Sequence, residues 1–419
     1  MEPPVIESIV PDESFDVVVV GGGPAGAALA TFCQRAGHRC LVLERSVFPR
    51  YHIGESVIPH TYGTLERLGL LAALQASSYP KKYSVRFIPE SGQDVDPFYF
   101  SETIDGPGSQ TWQVERSTFD QLCLDNAAAS GVEVRMRARV EQVLFEDDRA
   151  VGVRVQNPLE SPQDIGARVV VDASGRSTIL GSQLDLKGPV AGLKKMSIWS
   201  YYKGGKRLQG IDEGETTAII IPQRGWFWYI PLPEDRVSVG VVASPDYLQR
   251  DSSNYQEIFD HEIELCVPVA ERLAQAERVD KVRGIPELAY RNRQTAGAGW
   301  IMIGDAAAFL DPIYSSGLFL ALASAEMAAE SICGALSSDD LSADRLGAHA
   351  AVLMEGVEVI RRLIFAFYDP SFSFGRFVKR FPDQRSALID CLVGDVVDKD
   401  MSAFLAALEQ MTPVPPPMP

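Results

Sequence analysis

Three glycines spaced Gly21-x-Gly23-x-x-Gly26, with an acid at Glu44, are the residues whose types and spacing point most directly to chemistry. That chemistry is the holding of a dinucleotide. Gly21 makes a tight turn, Gly23 lets backbone approach a pyrophosphate, and Gly26 lets a helix sit close on a strand. The helix N-terminus offers N–H donors and a partial positive charge to the phosphates. An acid some 20 residues on can accept hydrogen bonds from the adenosine ribose, which is the place of Glu44. The glycines alone do not separate NAD from FAD, and a Gly-rich turn without nucleotide is the plainer reading of such a motif.

The elements that must position these residues are legible around them. Phe15 to Val20 is a β-branched run of the kind buried on both faces of a parallel sheet. Pro24 to Ala36 has helical spacing and is closed by Gly37. Arg39 to Glu44 is the next strand, so the chain opens with a β-α-β unit. Helices are expected at Leu65–Gln75 and Phe119–Ser130. Strands are expected at Tyr83–Phe87, Phe98–Phe100 and Val132–Val134, with a hairpin at Val140–Phe145 and Ala150–Val155. Arg168–Asp172 and Trp300–Ile303 read as buried strands. Short aromatic and β-branched runs between turns predict an antiparallel sheet from Met196 to about Val242. Ser316–Leu336 reads as a long Ala-rich helix, and the last part of the chain as helical, with aromatics at Phe365, Phe367, Tyr368, Phe372, Phe374 and Phe377.

Composition excludes several classes. The 419 residues are 46% hydrophobic and 23% charged, which suits a globular protein. Net charge is −17, so a phosphate backbone is repelled and nucleic-acid binding is disfavoured. The six cysteines are scattered without a C-x-x-C, which indicates neither a zinc site nor a disulfide framework. Free thiols fit a reducing cytoplasm. Met1–Ser14 lacks the layout of a signal peptide. Val17–Gln34 is long and uncharged enough to suggest a membrane span, but the Gly21-Gly22-Gly23-Pro24 break divides it into two elements, and no integral membrane segment is expected.

Three later motifs favour FAD: Gly304-Asp305 after a strand, Val114-Glu115-Arg116-x-x-Phe119-Asp120 opening a helix, and Asp172-Ala173-Ser174-Gly175-Arg176-Ser177 after a buried strand. Together with the glycines they resemble the flavoprotein monooxygenases of the para-hydroxybenzoate hydroxylase fold. The implied fold is α/β, a Rossmann-like FAD-binding domain with an inserted antiparallel β-sheet substrate domain and a helical C-terminal part. The FAD domain would be assembled from residues 1–80, 111–190 and 286–340. The sheet domain would comprise 81–110 and 191–285, followed by a helical region 341–412 and a disordered tail 413–419.

Trp226-x-Trp228-x-Ile230-Pro231 is similar to the W-x-W-x-I-P motif of flavin-dependent halogenases, and Asp311 to Gly317 to their second flavin loop. Phe48 to Ser56 resembles the segment that follows the ribose-binding acid in these enzymes. The resemblance implies FAD contacts at Gly21, Gly23, Pro24, Ala25, Gly26, Glu44 and Arg45. It extends them to Arg50, Ile53, Gly54 and Ser56, and to Arg116, Asp305, Pro312, Gly317 and Leu318. It places Trp226, Trp228 and Pro231 beside a tunnel, although two tryptophans at i and i+2 also describe a core strand. It places chloride or bromide at the backbone N–H groups of Ser316 and Gly317, where a plain helix cap by Ser315 or Ser316 would look the same. A lysine near the substrate is implied at Lys82, with Lys81 the alternative; composition alone would put both on a solvated turn.

In this family reduced FAD and oxygen turn the halide into hypohalous acid, which reaches the lysine and halogenates an electron-rich ring. Tyr314 stands where halogenases acting on free tryptophan carry a glutamate, so the site resembles those acting on phenols, pyrroles and carrier-bound substrates. The expected partners are a small aromatic substrate, free or on a carrier protein, and a separate flavin reductase, since no second dinucleotide fingerprint is found. The aromatic C-terminal run either lines the substrate pocket or packs as core. A flavin hydroxylase, a reductase of the geranylgeranyl type and a non-enzymatic FAD-fold binding protein are the competing readings.

Overall fold

The computed structural model describes residues 13–158, 161–222 and 225–416. Most of Met1–Ser14 and residues 417–419 of the tail therefore lie outside the described residues. Two large sheets organise the chain. The first runs Ala296–Gly297, Trp300–Met302, Gln163–Asp172, Glu13–Val20, Cys40–Glu44, Glu133–Met136 in spatial order, and its strands from 300–302 to 133–136 are parallel. The hairpin Arg139–Glu146/Arg149–Gln156 joins it through an antiparallel pairing to Gln163–Asp172. Val17, Val18 and Val19 are fully buried, as the β-branched run requires when both faces are covered. Parallel pairing brings Gly21, Glu44, Asp172 and Gly304 to the same edge, where ligands sit in open α/β sheets.

The glycine turn delivers the chain into helix Pro24–Arg35, which begins one residue after Gly23. A Cβ on Gly26 would lie 2.1 Å from the Gly21 carbonyl oxygen, so only glycine allows the helix to sit this close. Ala27, Ala28 and Leu29 share a core with Leu322, Ala325, Ala329 and Ile332 of helix Ser316–Ser338. That second helix is, among the described residues, the one helix long and apolar enough to cross a membrane by length and composition, and half of its apolar window is buried inside the fold. Val17–Gln34 is strand, turn and helix, as the glycine-proline break predicts.

The second sheet runs Glu277–Arg278, Met196–Lys203, Arg236–Ala243, Gly225–Leu232, Thr216–Ile221, Ser84–Ile88, Phe98–Tyr99. It is antiparallel except where Ser84–Ile88 pairs parallel with Thr216–Ile221, so it is a mixed sheet. Side chains alternate along Gly225–Leu232. Phe227 and Tyr229 face helices Tyr255–Leu265 and Val267–Leu273, which the sequence reading did not foresee. Trp226, Trp228 and Ile230 face the other way, toward Leu310, Ile313 and Tyr314 and the C-terminal helices Ala350–Tyr368 and Phe374–Arg380.

Two expectations change. Leu65–Gln75 is two short helices, Tyr62–Leu68 and Leu71–Ala76, because Gly69 takes a left-handed φ of 81° and ends the first. In the expected disordered tail, Pro416 has a partner: the Arg361 guanidinium donates to its carbonyl at 2.9 Å.

Gly26→Ala tests the close approach. The added methyl should lower the unfolding free energy by about 1–3 kcal/mol, as overpacking does, and should weaken FAD retention; denaturant titration and flavin absorbance of the purified protein measure both.

Candidate functional site

A cavity of about 1300 Å³ lies between the carboxyl edge of the first sheet and the Trp226/Trp228 face of the second. It exceeds the roughly 300–1,000 Å³ of an ordinary small-molecule site, as an extended dinucleotide requires. Gly21, Gly23, Pro24, Ala25, Glu44 and Arg45 line it. So do Arg50, Ile53, Gly54, Ser56 and Arg116, and Asp305, Pro312, Gly317 and Leu318. Gly26 does not line the cavity; it is occupied with the helix–turn contact.

The residues suit FAD. A Cβ at Gly23 would meet only the Arg50 guanidinium, at 3.5 Å, so the backbone there faces open space a pyrophosphate can enter. The Glu44 carboxylate accepts hydrogen bonds from the Gly22 N–H at 2.9 Å and the Ser46 N–H at 2.8 Å, which aims it at the turn. Arg116 donates to Asp120 at 2.8 Å and to the Ile53 carbonyl at 2.7 Å, and Arg50 donates to the same Asp120 at 2.9 Å. Burial alone would raise the Asp120 carboxyl, but the Arg116 guanidinium outweighs it and holds the group below its usual range. This triad ties loop 50–54 to the helix that starts at Arg116. Asp305 sits in the cavity wall, and burial pushes its carboxyl up to about 6, against the fields of Arg116 and Arg176.

Lys82 lies on the short strand Lys81–Lys82, paired with Thr111–Trp112. Its side chain points inward and is 1% exposed, whereas Lys81 is exposed. The Lys82 Nζ donates to Ser56 Oγ at 2.8 Å and to the Val57 carbonyl at 3.3 Å, and lies 5.3 Å from the Phe100 ring centre. Burial lowers it to about 7, with Glu215 opposing. Lys82 is not itself in the cavity wall. Ser56 and Thr216 are, and their hydroxyls lie 2.9 Å apart, so the amine stands one residue behind the surface.

Trp226 and Trp228 both line the cavity, with ring centres 6.0 Å apart. Trp226 Nε1 donates to the Tyr368 hydroxyl at 3.0 Å, and Tyr368 donates to Asp311 at 2.8 Å. Burial pushes Asp311 up to about 6. Pro231 is buried in the strand and does not reach the cavity. At the start of helix Ser316–Ser338, Gly317 and Ser315 line the cavity and Ser316 does not. The alternative of a serine cap is not realised: Ser315 has a left-handed φ of 55° and makes no capping hydrogen bond with its side chain. Tyr314 is buried, donates to the Leu363 carbonyl at 3.0 Å and packs against Phe87, Phe367 and Phe374. The C-terminal aromatics form core behind Trp226 and do not line the cavity.

The sequence reading left out Glu55, Thr216, Tyr51 and Tyr201. Glu55, Thr216 and Tyr51 line the cavity. Tyr201 reaches it through a hydrogen bond to Glu55 at 2.6 Å. Glu55 and Tyr51 carry a sequence signal, their place in the Phe48–Ser56 segment; Thr216 and Tyr201 come from strands whose neighbours are set by sheet pairing.

A tryptophan halogenase family model matches residues 16–106 and 99–373. The chain belongs to the flavin-dependent halogenases. This halogenase is 30% identical to the 1H-pyrrole-2-carbonyl-peptidyl-carrier-protein chlorinase of Pseudomonas fluorescens, over 95% of its own length and 94% of that protein. It is also 30% identical to the corresponding brominase of Pseudoalteromonas luteoviolacea, over 95% and 97%. Among solved structures, the flavin-dependent brominase Bmp2 superposes with a TM-score of 0.86 at 29% identity, covering 95% of this chain and 98% of that one. The halogenase is thus an FAD-dependent enzyme, and the α/β fold expected from the glycines and strands is the fold of these neighbours.

The Lys82 amine carries a pH signature. Below pH 7 it is charged in both folded and unfolded chains, and the full burial penalty applies. Between about 7 and 10.5 the unfolded chain binds the proton and the folded chain does not, so stability rises with pH through that window. Lys82→Met should abolish a rise of up to about 1.4 kcal/mol per pH unit, measured by unfolding titrations from neutral to alkaline pH.

Proposed function

We propose that this halogenase places a halogen on an electron-rich ring, a phenol or a pyrrole, free or held on a carrier protein, through Lys82. The observation that carries this reading is the buried Lys82 amine, near neutrality at physiological pH and aimed at a hydroxyl of the cavity wall. The two pyrrole-carrier relatives support a pyrrole acyl group on a carrier, since each aligns with nearly the whole of this chain.

Reduced FAD with dioxygen would supply hypohalous acid from chloride or bromide. The remaining work belongs to the protein. Gly21, Gly23 and helix Pro24–Arg35 would take the pyrophosphate, Glu44 the adenosine ribose and Asp305 the ribityl chain. The backbone at Ser316 and Gly317 would hold the halide, through N–H groups that a helix leaves unpaired in its first turn. Trp226 and Trp228 would keep the substrate ring from the flavin while leaving room for a small oxidant. At Lys82 the neutral amine either donates a hydrogen bond to hypohalous acid or exchanges N–H for N–halogen with loss of water. Transfer to the ring then returns the N–H, with the ring carbon surrendering its proton. A separate reductase would supply the reduced flavin.

The test uses the full chain with FAD, a chemical reductant, oxygen and chloride or bromide. The substrates are a panel of phenols and a carrier protein loaded with a pyrrole-2-carbonyl group. Mass spectra should show a halogen isotope pattern; products carrying only added oxygen would overturn the reading in favour of hydroxylation. Lys82→Ala should cut halogenated product on the order of 100-fold or more while reduced-flavin oxidation continues unchanged, and Lys81→Ala should leave both intact.

A further inference from the structure

The overall reaction has a proton balance that the site must meet. Reduced FAD with its two hydrogens, dioxygen, a halide ion, one aromatic C–H and one proton yield FAD, a carbon–halogen bond and two waters. Each turnover therefore consumes one proton, which must reach the buried Ser56–Lys82 end of the site.

A chain of hydrogen bonds leads to it. Glu55, 2% exposed, lines the cavity next to Ser56, the hydroxyl partner of Lys82. The Tyr201 hydroxyl donates to Glu55 Oε1 at 2.6 Å, and the Tyr51 and Tyr201 hydroxyls lie 3.1 Å apart. Trp199 Nε1 donates to the Tyr51 hydroxyl at 2.6 Å, which leaves Tyr51's own proton free to point at Tyr201. Every donor in the row is then turned inward, toward Glu55. Tyr51, at the other end, also lines the cavity but is 42% exposed and so meets solvent.

We propose that Tyr51, Tyr201 and Glu55 form a relay that carries protons from solvent at the exposed Tyr51 to the buried Glu55 beside Ser56, with Glu55 as the inner donor. This rests on the halogenase reading of the same site. Glu55 passes its proton to the oxygen that leaves as water. Tyr201 reprotonates it, Tyr51 reprotonates Tyr201, and solvent reprotonates Tyr51. No net charge stays on either phenol.

The surroundings suit a group that is sometimes protonated. Burial pushes Glu55 up to about 7, opposed by the Tyr201 hydrogen bond and raised further by Glu115. Arg116 faces it and lowers it, Ser238 donates to its Oε2 at 3.4 Å, and Arg236 pairs with Glu115. At the outer end Arg283 lies 4.2 Å from the Tyr51 ring centre. Burial pushes Tyr51 up to about 12 and Tyr201 far up, so both stay neutral and act as conduits.

The experiment has two arms. In the first, single-turnover halogenation by Tyr201→Phe, with reduced FAD, oxygen, bromide and a phenol, is followed from about pH 6 to 9 alongside wild type. The relay predicts a rate at least about tenfold lower at the alkaline end, recovered by added formate or imidazole as small proton carriers, with substrate KM kept. An unchanged rate across the range, or a raised KM with kcat kept, overturns it. In the second, infrared titration of the flavin-free chain should show a carboxylic acid band that titrates near neutrality, vanishes in Glu55→Gln and shifts in Tyr201→Phe. A band unmoved by Tyr201→Phe overturns the relay whatever the activity. If wild type forms no halogenated product while the infrared network behaves as expected, it is the halogenase reading that fails.

Discussion

Lys82 is held where water does not reach, and an amine in that position is tolerable only when its charge can be given up or shared. The structure supplies both outlets. The Ser56 hydroxyl and the Val57 carbonyl accept from Nζ, the Phe100 ring lies under it, and Glu215 contributes a distant field. Much of the surrounding fold follows from this arrangement. The two-residue strand that carries Lys82 is pinned by Thr111–Trp112, and the chain turns at once into Ser84–Ile88, which enters the second sheet as its parallel member. Thr216, from the neighbouring strand, closes the gap to Ser56.

The cavity is a joint product of two sheets with different logic. The parallel sheet contributes its edge, where strand ends and the glycine turn meet. The mixed sheet contributes a face, where alternation puts Trp226, Trp228 and Ile230 on one side and Phe227 and Tyr229 on the other. The C-terminal helices hold that face through Tyr368, which accepts from Trp226 and donates to Asp311 in the loop before helix Ser316–Ser338. One hydroxyl thereby couples the tryptophan wall, the loop before helix Ser316–Ser338 and the C-terminal region. The same helices explain why the phenylalanines near the end of the chain are core: they cover the outer side of the wall whose inner side is the site.

The net charge of −17 gives no guide to the site, whose lining sets arginines beside the acids Glu44, Glu55 and Asp305. Arg50 and Arg116 share Asp120 and present a fixed cationic pair to the cavity, and two helix N-termini point the same way. Low dielectric strengthens these few features. FAD, itself an anion, would be held here by local geometry against an unfavourable global field.

Short-range patterns were legible in the amino-acid order itself. The β-branched run, the three glycines and Glu44 dictated the opening β-α-β unit, because steric demands at a tight turn and burial on both strand faces act between near neighbours. The motifs at Arg116, Asp305 and Ser315–Gly317 were legible through their resemblance to flavoprotein and halogenase motifs. What residues distant in sequence do to one another was decided only by tertiary structure. Which of Lys81 and Lys82 turns inward depends on a pairing with residues about thirty positions away. Glu55, Tyr201 and Tyr51 meet because a loop of the first domain crosses a strand of the second, nearly 150 residues apart, and hydrogen bonds of that range leave no periodic trace in sequence.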